Sequence, residues 1–429
     1  AGTRYVFMRG NSLWSELADG SEKQPDLLTA SQVSVAPNWV VSNPLPGRSA
    51  GDKLAYIDLI TAKVHIIRSD GLQDITVNQP LLKAGITPAS AWDTATGTAI
   101  LQSLAWSSDG NNLAFLADPS GSGHTSIYIY STLTHAVTAV PSPIQGSVSH
   151  ASWSPDGARL AFEVSQKSLT SIIDYNVHNL GILIIAENIG AGASAGDGVL
   201  AMDWSPNLPA ITWSVGVIGH VHSLWTRIID GNTSANLLLS GDYAQAIYSR
   251  NGDYKTGSWL VVTSNAGLAG DIWRIDVIPG SRFVQLTTGR QVNYAQWSPD
   301  GSSIDYLDSL SVGVGTLHIV NATTRVDRLI APNVTNEPAP VWSANNQQIA
   351  FSTGSRVGIA SVPVNTGIHY LALKGAASDL TWSLTSPHQL IVSMNDGQQG
   401  IYLEDTLSNT AHLLDAQGTD GPLLWTQIP

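Results

Sequence analysis

The segment GASAG, Gly192 to Gly196, has the G-x-S-x-G spacing of a nucleophilic serine held on a sharp strand-to-helix turn. Such a serine needs a strand before it and a helix after it. LGILII from Leu180 supplies the strand, but Trp204 and Pro206 follow too soon for a helix. The small residues therefore read as a loop, and the overlapping GAGASAG fails as a dinucleotide fingerprint for want of the same helix. His220 and His222 form an H-x-H pair, and on a strand residues i and i+2 share a face, so two imidazoles could meet one metal ion. No third or fourth ligand is identifiable, so the expected reading is two histidines at a strand end near the surface, with no metal. The recurrent Asp-Gly dipeptides, among them Asp109, Asp156 and Asp300, lack the close alternating oxygen ligands of a calcium loop and suit tight turns. With no cysteine in the chain, thiolate catalysis and Cys-ligated zinc are excluded. No cofactor is expected.

The elements around these residues follow from a repeat. WSPDG occurs at Trp153 and again at Trp297, with relaxed copies at Trp106, Trp204, Trp342 and Trp382. The register runs Trp39, Trp106, Trp153, Trp204, Tyr248, Trp297, Trp342, Trp382, Trp425, and it takes eight of the fourteen tryptophans. Seven residues after Trp106, Trp153, Trp297 and Trp342 begin the apolar triplets LAF, LAF, IDY and IAF. In S-P-D-G the serine opens a type I turn, proline presets φ, and glycine takes the left-handed position. Each unit is then a strand ending in Trp, a tight turn, an apolar strand, and two further strands such as SIYIYS from Ser126. Four strands per 40 to 50 residues is one propeller blade. A tryptophan repeated in every blade is core packing between sheets, not a carbohydrate platform.

The expected fold is all-β: one closed propeller of four-stranded antiparallel blades over residues 1–429, with nine blades, or eight as the alternative. YVFMRG, SLWSEL and PDLLT near the N-terminus lack a first strand, and GPLLWTQIP at the other end has no strands after it. Residues 1–30 and 419–429 are therefore expected to share a closing blade. Residues 79–99, rich in Pro, Ala and Thr, read as an inter-blade insertion loop.

Trp closing a first strand, followed by S-P-D-G and an apolar triplet, resembles the TolB-like propeller repeat, related to the propeller of prolyl-oligopeptidase-type peptidases. The resemblance spans Tyr5 to Trp425. It implies fold more than function, because propellers host many activities. Neither the α/β domain that precedes TolB propellers nor the α/β-hydrolase domain of the peptidases has a counterpart segment, so neither activity is implied.

In a propeller, the loops entering first strands and those joining second to third strands gather around the channel mouth. Residues just before each register aromatic are expected there: Gln102, His150, Gln245, Asn293, Tyr294, Glu337 and Asp379, overhung by Trp92 and Asp93 of the insertion. Charged residues make up only 12% against the usual ~25%, and the net charge is −13 without a basic run, which argues against nucleic acid. No apolar run approaches the ~20 residues of a membrane-spanning helix. The expectation is a non-catalytic protein- or peptide-binding or scaffold propeller, exported by a bacterium and working outside the cytoplasm, with a small molecule or sugar as a further ligand class. The alternative is a hydrolase or lyase acting on a sugar or peptide at the mouth, using Glu337 or Asp379 with His150.

Overall fold

The computed structural model describes residues 3–427 except 10–11, 19–22, 29–38, 42–52, 59–62, 69–74, 78–103, 118–124, 191–196, 206–207, 218, 230–232, 249–257, 266–267, 278–282, 310–312, 363–366, 384–385 and 420–422. Every regular element among them is a strand.

Sheet A opens with β1 (Thr3–Arg9), β2 (Ser12–Leu17) and β3 (Lys23–Leu28). Sheet B holds β4 (Trp39–Val41), β5 (Lys53–Asp58), β6 (Lys63–Arg68) and β7 (Ile75–Thr76). Sheet C holds β8 (Leu104–Trp106), β9 (Asn112–Ala117), β10 (Ser126–Ser131) and β11 (Val137–Ala139). Sheet D holds β12 (Ser147–Trp153), β13 (Arg159–Gln166), β14 (Leu169–Asn176) and β15 (Ile182–Ile189). Sheet E is longer: β16 (Gly198–Trp204), β17 (Ala210–Val217), β18 (His220–Ile228), β19 (Asn236–Tyr248), β20 (Ser258–Asn265), β21 (Leu268–Asp276) and β22 (Phe283–Gln285). Sheet F holds β23 (Val292–Trp297), β24 (Ser303–Asp308), β25 (Val314–Asn321) and β26 (Asp327–Thr335). Sheet G holds β27 (Val341–Trp342), β28 (Gln348–Ser352), β29 (Val357–Ser361) and β30 (Ile368–Tyr370). Sheet H holds β31 (Ala377–Trp382), β32 (Gln389–Met394), β33 (Gly400–Asp405) and β34 (Thr410–Asp415). The last strand, β35 (Leu424–Gln427), returns to sheet A and pairs antiparallel with β1, Trp425 opposite Tyr5.

Every pairing is antiparallel between strands adjacent in the chain, apart from that return. The described residues thus form eight sheets of an all-β propeller, not the nine separate ones expected. The difference lies in sheet E. β19 pairs with β18 through Asn236–Tyr243 and with β20 through Tyr243–Tyr248, so one uninterrupted strand closes one set of four and opens the next.

The repeated turn has a local cause. In sheets C, D, F and G the serine after the aromatic (Ser107, Ser154, Ser298, Ser343) accepts the backbone N–H five residues on, at 2.9, 2.9, 3.0 and 2.9 Å. Its hydroxyl donates to the side chain two residues on: Asp109, Asp156, Asp300 or Asn345. The left-handed corner is taken by Gly110, Gly157 and Gly301 at φ 69°, 71° and 68°, and by Asn346 at 58°. The turn then sets the register: Trp106 lies opposite Leu113, Trp153 opposite Leu160, Trp297 opposite Ile304 and Trp342 opposite Ile349.

The core lies between sheets. One apolar cluster joins B to C, another C to D, and others D to E, E to F, F to G, G to H and H to A. The register tryptophans stitch these seams. The indole N–H groups of Trp153, Trp204, Trp297, Trp382 and Trp425 donate to the carbonyls of Ala105, Ser152, Ile247, Val341 and Thr381, at 3.0, 2.9, 3.4, 2.9 and 3.2 Å. Each acceptor directly precedes the aromatic of the preceding repeat. The tryptophan thus fills the seam with its ring and satisfies a main-chain group with its nitrogen, which explains why its type recurs.

Candidate functional site

The features that first suggested chemistry are engaged in structure. The WSPDG serines are committed to their turns, each accepting a backbone N–H and donating to the aspartate two residues on. Burial pushes the Asp109 and Asp156 carboxyls up, but bonds from Ser107 and Ser154 and from nearby backbone amides outweigh it and lower both below the usual range. GASAG lies outside the described residues, yet strand β16 begins at Gly198, so no helix follows it. His220 meets Asp242 at 3.0 Å, whereas His222 meets Asp197 at 3.0 Å. A register shift in the β17–β18 pairing separates Gly216↔Val221 from Val215↔Ser223 and leaves His222 on the bulge. The two imidazoles therefore serve different carboxylates, and no group of three His, Asp or Glu suited to a metal ion is assembled among the described residues.

Of the residues expected at the mouth, Trp92, Asp93 and Gln102 lie outside the described residues. His150 falls on β12, at the shift between Ser149 and Ala151 in its pairing with β13. Gln245 is half-buried on β19. Asn293 and Tyr294 are neighbours on β23; Asn293 donates to the Ser309 carbonyl, and the Tyr294 hydroxyl is buried without a partner among the described residues. Burial pushes that phenol far up, with Asp305 adding to the effect. Glu337 is exposed between β26 and β27. Asp379, on β31, accepts backbone N–H groups from Leu380 at 2.8 Å and Leu423 at 2.7 Å. Burial raises its pKa, and those two amides oppose the rise. Its carboxylate thereby ties the approach to β35 onto sheet H.

The mouth face also carries a feature the repeat register did not reveal. Between sheets C and D lies a cleft of about 590 Å³. Its floor is Ile127, Val140, Val148 and Phe162, all buried. Its walls come from the connector that enters β12 (Ser142, Ile144, Gln145, Gly146) and from the β13–β14 turn (Gln166, Lys167). Those are the two loop classes that gather at a propeller mouth. The connector is shaped from within: Ser142 Oγ donates to the Ile144 carbonyl at 2.6 Å and accepts its N–H at 3.2 Å. Gly146 has no room for a side chain, because a Cβ there would strike the Ser165 carbonyl. The side chains of Ser126, Gln145, Gln166 and Lys167 are exposed on the rim, with no side-chain hydrogen bond or ion pair among the described residues. Among the described residues the lining contains no carboxylate and no histidine. It offers an apolar floor, hydroxyl and amide groups and one cation, which suits recognition of a mixed apolar and polar ligand and supplies no acid–base pair. The signal in the sequence was the rigid connector PSPIQG ahead of β12, but its partner wall appears only once sheets C and D are packed.

No family model and no curated protein matches the chain. Solved structures do. A eukaryotic initiation factor aligns at TM-score 0.64 and 13% identity, covering 100% of both chains. Dipeptidyl peptidase 4 of Porphyromonas gingivalis aligns at TM-score 0.58 and 12% identity, covering 90% of this chain and 60% of that one. TolB of Acinetobacter baumannii is also matched, at TM-score 0.35 and 16% identity, covering 76% of this chain and 79% of that one. At these identities the first two likenesses establish a β-propeller and nothing finer, so the TolB-like repeat remains a resemblance of sequence motif. Among the described residues no helix is long and apolar enough to cross a membrane.

Proposed function

We propose that this chain is a non-catalytic binding propeller of TolB-like repeats that holds a protein segment or peptide, with the cleft between sheets C and D as its principal site. The observation that carries this reading is the lining: four buried apolar side chains beneath polar rim groups, with no carboxylate or histidine among the described residues. An apolar anchor would enter the floor while Gln145 and Gln166 bond the ligand backbone. The hydrolase or lyase reading has less support, since both carboxylate oxygens of Asp379 are held by backbone amides. The low charged content and absence of cysteine fit an extracytoplasmic, bacterial setting and a scaffold role. Sheet E is best counted as two repeat units, because Trp297 bonds the Ile247 carbonyl as though Tyr248 closed a separate blade; that count makes nine units.

A randomised decapeptide library panned on the purified chain tests the site. Selected peptides should bind the wild type and lose at least about tenfold in affinity, roughly 1.4 kcal/mol, to Gln145→Trp, which blocks the cleft from an exposed position. Binding that ignores this substitution would move the site elsewhere, and cleavage of bound peptides would end the non-catalytic reading.

A further inference from the structure

Sheet F departs from the repeat at Asp305. After the turn, sheets C and D carry Leu-Ala-Phe and sheet G carries Ile-Ala-Phe, but sheet F carries Ile304-Asp305-Tyr306. Asp305 is 0% exposed. Strand alternation puts it on the face of β24 that carries Leu307, which packs against sheet G with Leu317, Ile319, Ile349 and Phe351. There its carboxyl captures the seam bond. Five other indoles in the register donate to a main-chain carbonyl of the preceding repeat, whereas Trp342 Nε1 donates to Asp305 Oδ1 at 2.5 Å. Gln296, whose carbonyl is the acceptor expected from the repeat, sends its side chain across instead. Its Nε2 donates to the Pro340 carbonyl at 2.7 Å and to Asp305 Oδ2 at 3.4 Å.

Among the described residues no ion pair reaches Asp305; Arg328 of β26, opposite Ile319 on the same sheet face, donates instead to the Val362 carbonyl. From β23 come Tyr294, with its unpartnered buried hydroxyl, and Gln296; from β25 comes Ile319; from sheet G come Trp342 and the apolar side chains already named. Arg290, Asp308, Asp327 and His318 bond to one another around Tyr306, on the opposite face. Arg290 contacts Asp308 at 3.0 Å and Asp327 at 2.7 Å, and Asp327 also receives Tyr306 at 2.8 Å and His318 at 3.1 Å. Among the described residues only neutral donors, Trp342, Gln296 and the backbone N–H of Asp305 itself, compensate a carboxylate sealed between two sheets.

We propose that Asp305 is a proton-dependent latch on the seam between sheets F and G, closed while the carboxyl carries a proton and loosened when it ionises. An ionised group at this position gains by admitting water, and water enters by parting β23 and β24 from β27. Burial pushes the carboxyl up to about 7, with bonds from Trp342 and Gln296 opposing the rise. Because the folded value lies above the unfolded 3.8, the stabilisation is complete below pH 3.8 and is lost as pH rises through about 7. The strand set free carries Asn293 and Tyr294.

Hydrogen exchange by mass spectrometry on the full chain, corrected for intrinsic rates, tests the latch at about pH 5.5 and about pH 8. In the wild type, exchange in β23 and β27 should rise by roughly tenfold or more between the two, while β9 of sheet C stays level. Asp305→Asn keeps an acceptor for Trp342 but cannot ionise, and Asp305→Ala restores the residue found in the other triplets; both should remove the rise. An unchanged rise in either variant, or no rise in the wild type, overturns the proposal.

Discussion

If the register tryptophans are seam residues, Trp382→Phe should cost stability and nothing else. Trp382 is 5% exposed, lies among Ala350, Leu371, Leu380 and Leu390, and donates to the Val341 carbonyl at 2.9 Å. Phenylalanine keeps most of the ring contact and removes the donor. Loss of the hydrogen bond is worth about 1 kcal/mol. The smaller ring leaves a gap of roughly 35 Å³, which at about 24 cal/mol per Å³ adds nearly another 1 kcal/mol. Against an unfolding entropy of about 2.1 cal/mol/K per residue, cooperative unfolding of all 429 residues turns ~2 kcal/mol into a fall of about 2 °C in Tm. Differential scanning fluorimetry resolves that difference. Phe283→Leu, at an aromatic 46% exposed on outer strand β22, is the control and should leave Tm unchanged. A Trp382→Phe protein with wild-type Tm, or one that loses peptide binding at wild-type Tm, would refute the seam role and return the tryptophans to recognition.

Two further outcomes follow from single carboxylates. Asp379→Asn can accept only one of the two amides from Leu380 and Leu423, so the C-terminal approach to β35 should loosen by about 1–2 kcal/mol, seen as faster exchange in Leu424–Gln427. Glu404 is 1% exposed on β33, and burial, reinforced by Asp405, pushes it up to about 7. A folded value above the unfolded 4.5 gives stability that is present below pH 4.5 and lost as pH rises through about 7. Glu404→Gln should therefore melt a few degrees higher than the wild type near pH 8 and at nearly the same temperature near pH 4.5; equal melting points at the higher pH would show that the carboxylate is not desolvated.

What the sequence made legible was whatever is decided within one repeat. The serine, aspartate and glycine of each turn bond within five residues of one another, so their types and spacing reveal the hairpin without reference to the rest of the fold. A second local turn was equally readable and went unnoticed. Asn176, Asn321 and Asp405 each accept two backbone N–H groups at the start of the third-to-fourth-strand turn, which closes on a left-handed Leu180, Arg325 or Asn409. Those residues differ in type, so the pattern hides from a search for identical letters although the capping chemistry is shared. The fusion of sheet E was not legible, because Tyr248 keeps the spacing of a separate blade and only hydrogen bonding shows β19 running through. Nor was the cleft, whose two walls belong to different sheets and whose width depends on Gly146 lying against Ser165.

Asp305 shows where the boundary between the two kinds of information falls. Its letter was visible as the middle of IDY beside LAF and IAF, and a central aspartate in an apolar strand is an anomaly on composition alone. Its consequence depended on Gln296, its cross-strand partner in the same hairpin, and on Trp342, from the next repeat, meeting at the same seam. In a repeat fold each seam is an independent trial of one bonding scheme, so the regular seams measure what stability alone requires. A position that breaks the scheme while its neighbours rearrange to accommodate it, as Gln296 does by reaching Pro340, is costlier than the alanine it replaces. Such positions, more than the repeated tryptophans that first draw the eye, are where this ring differs from a purely structural one.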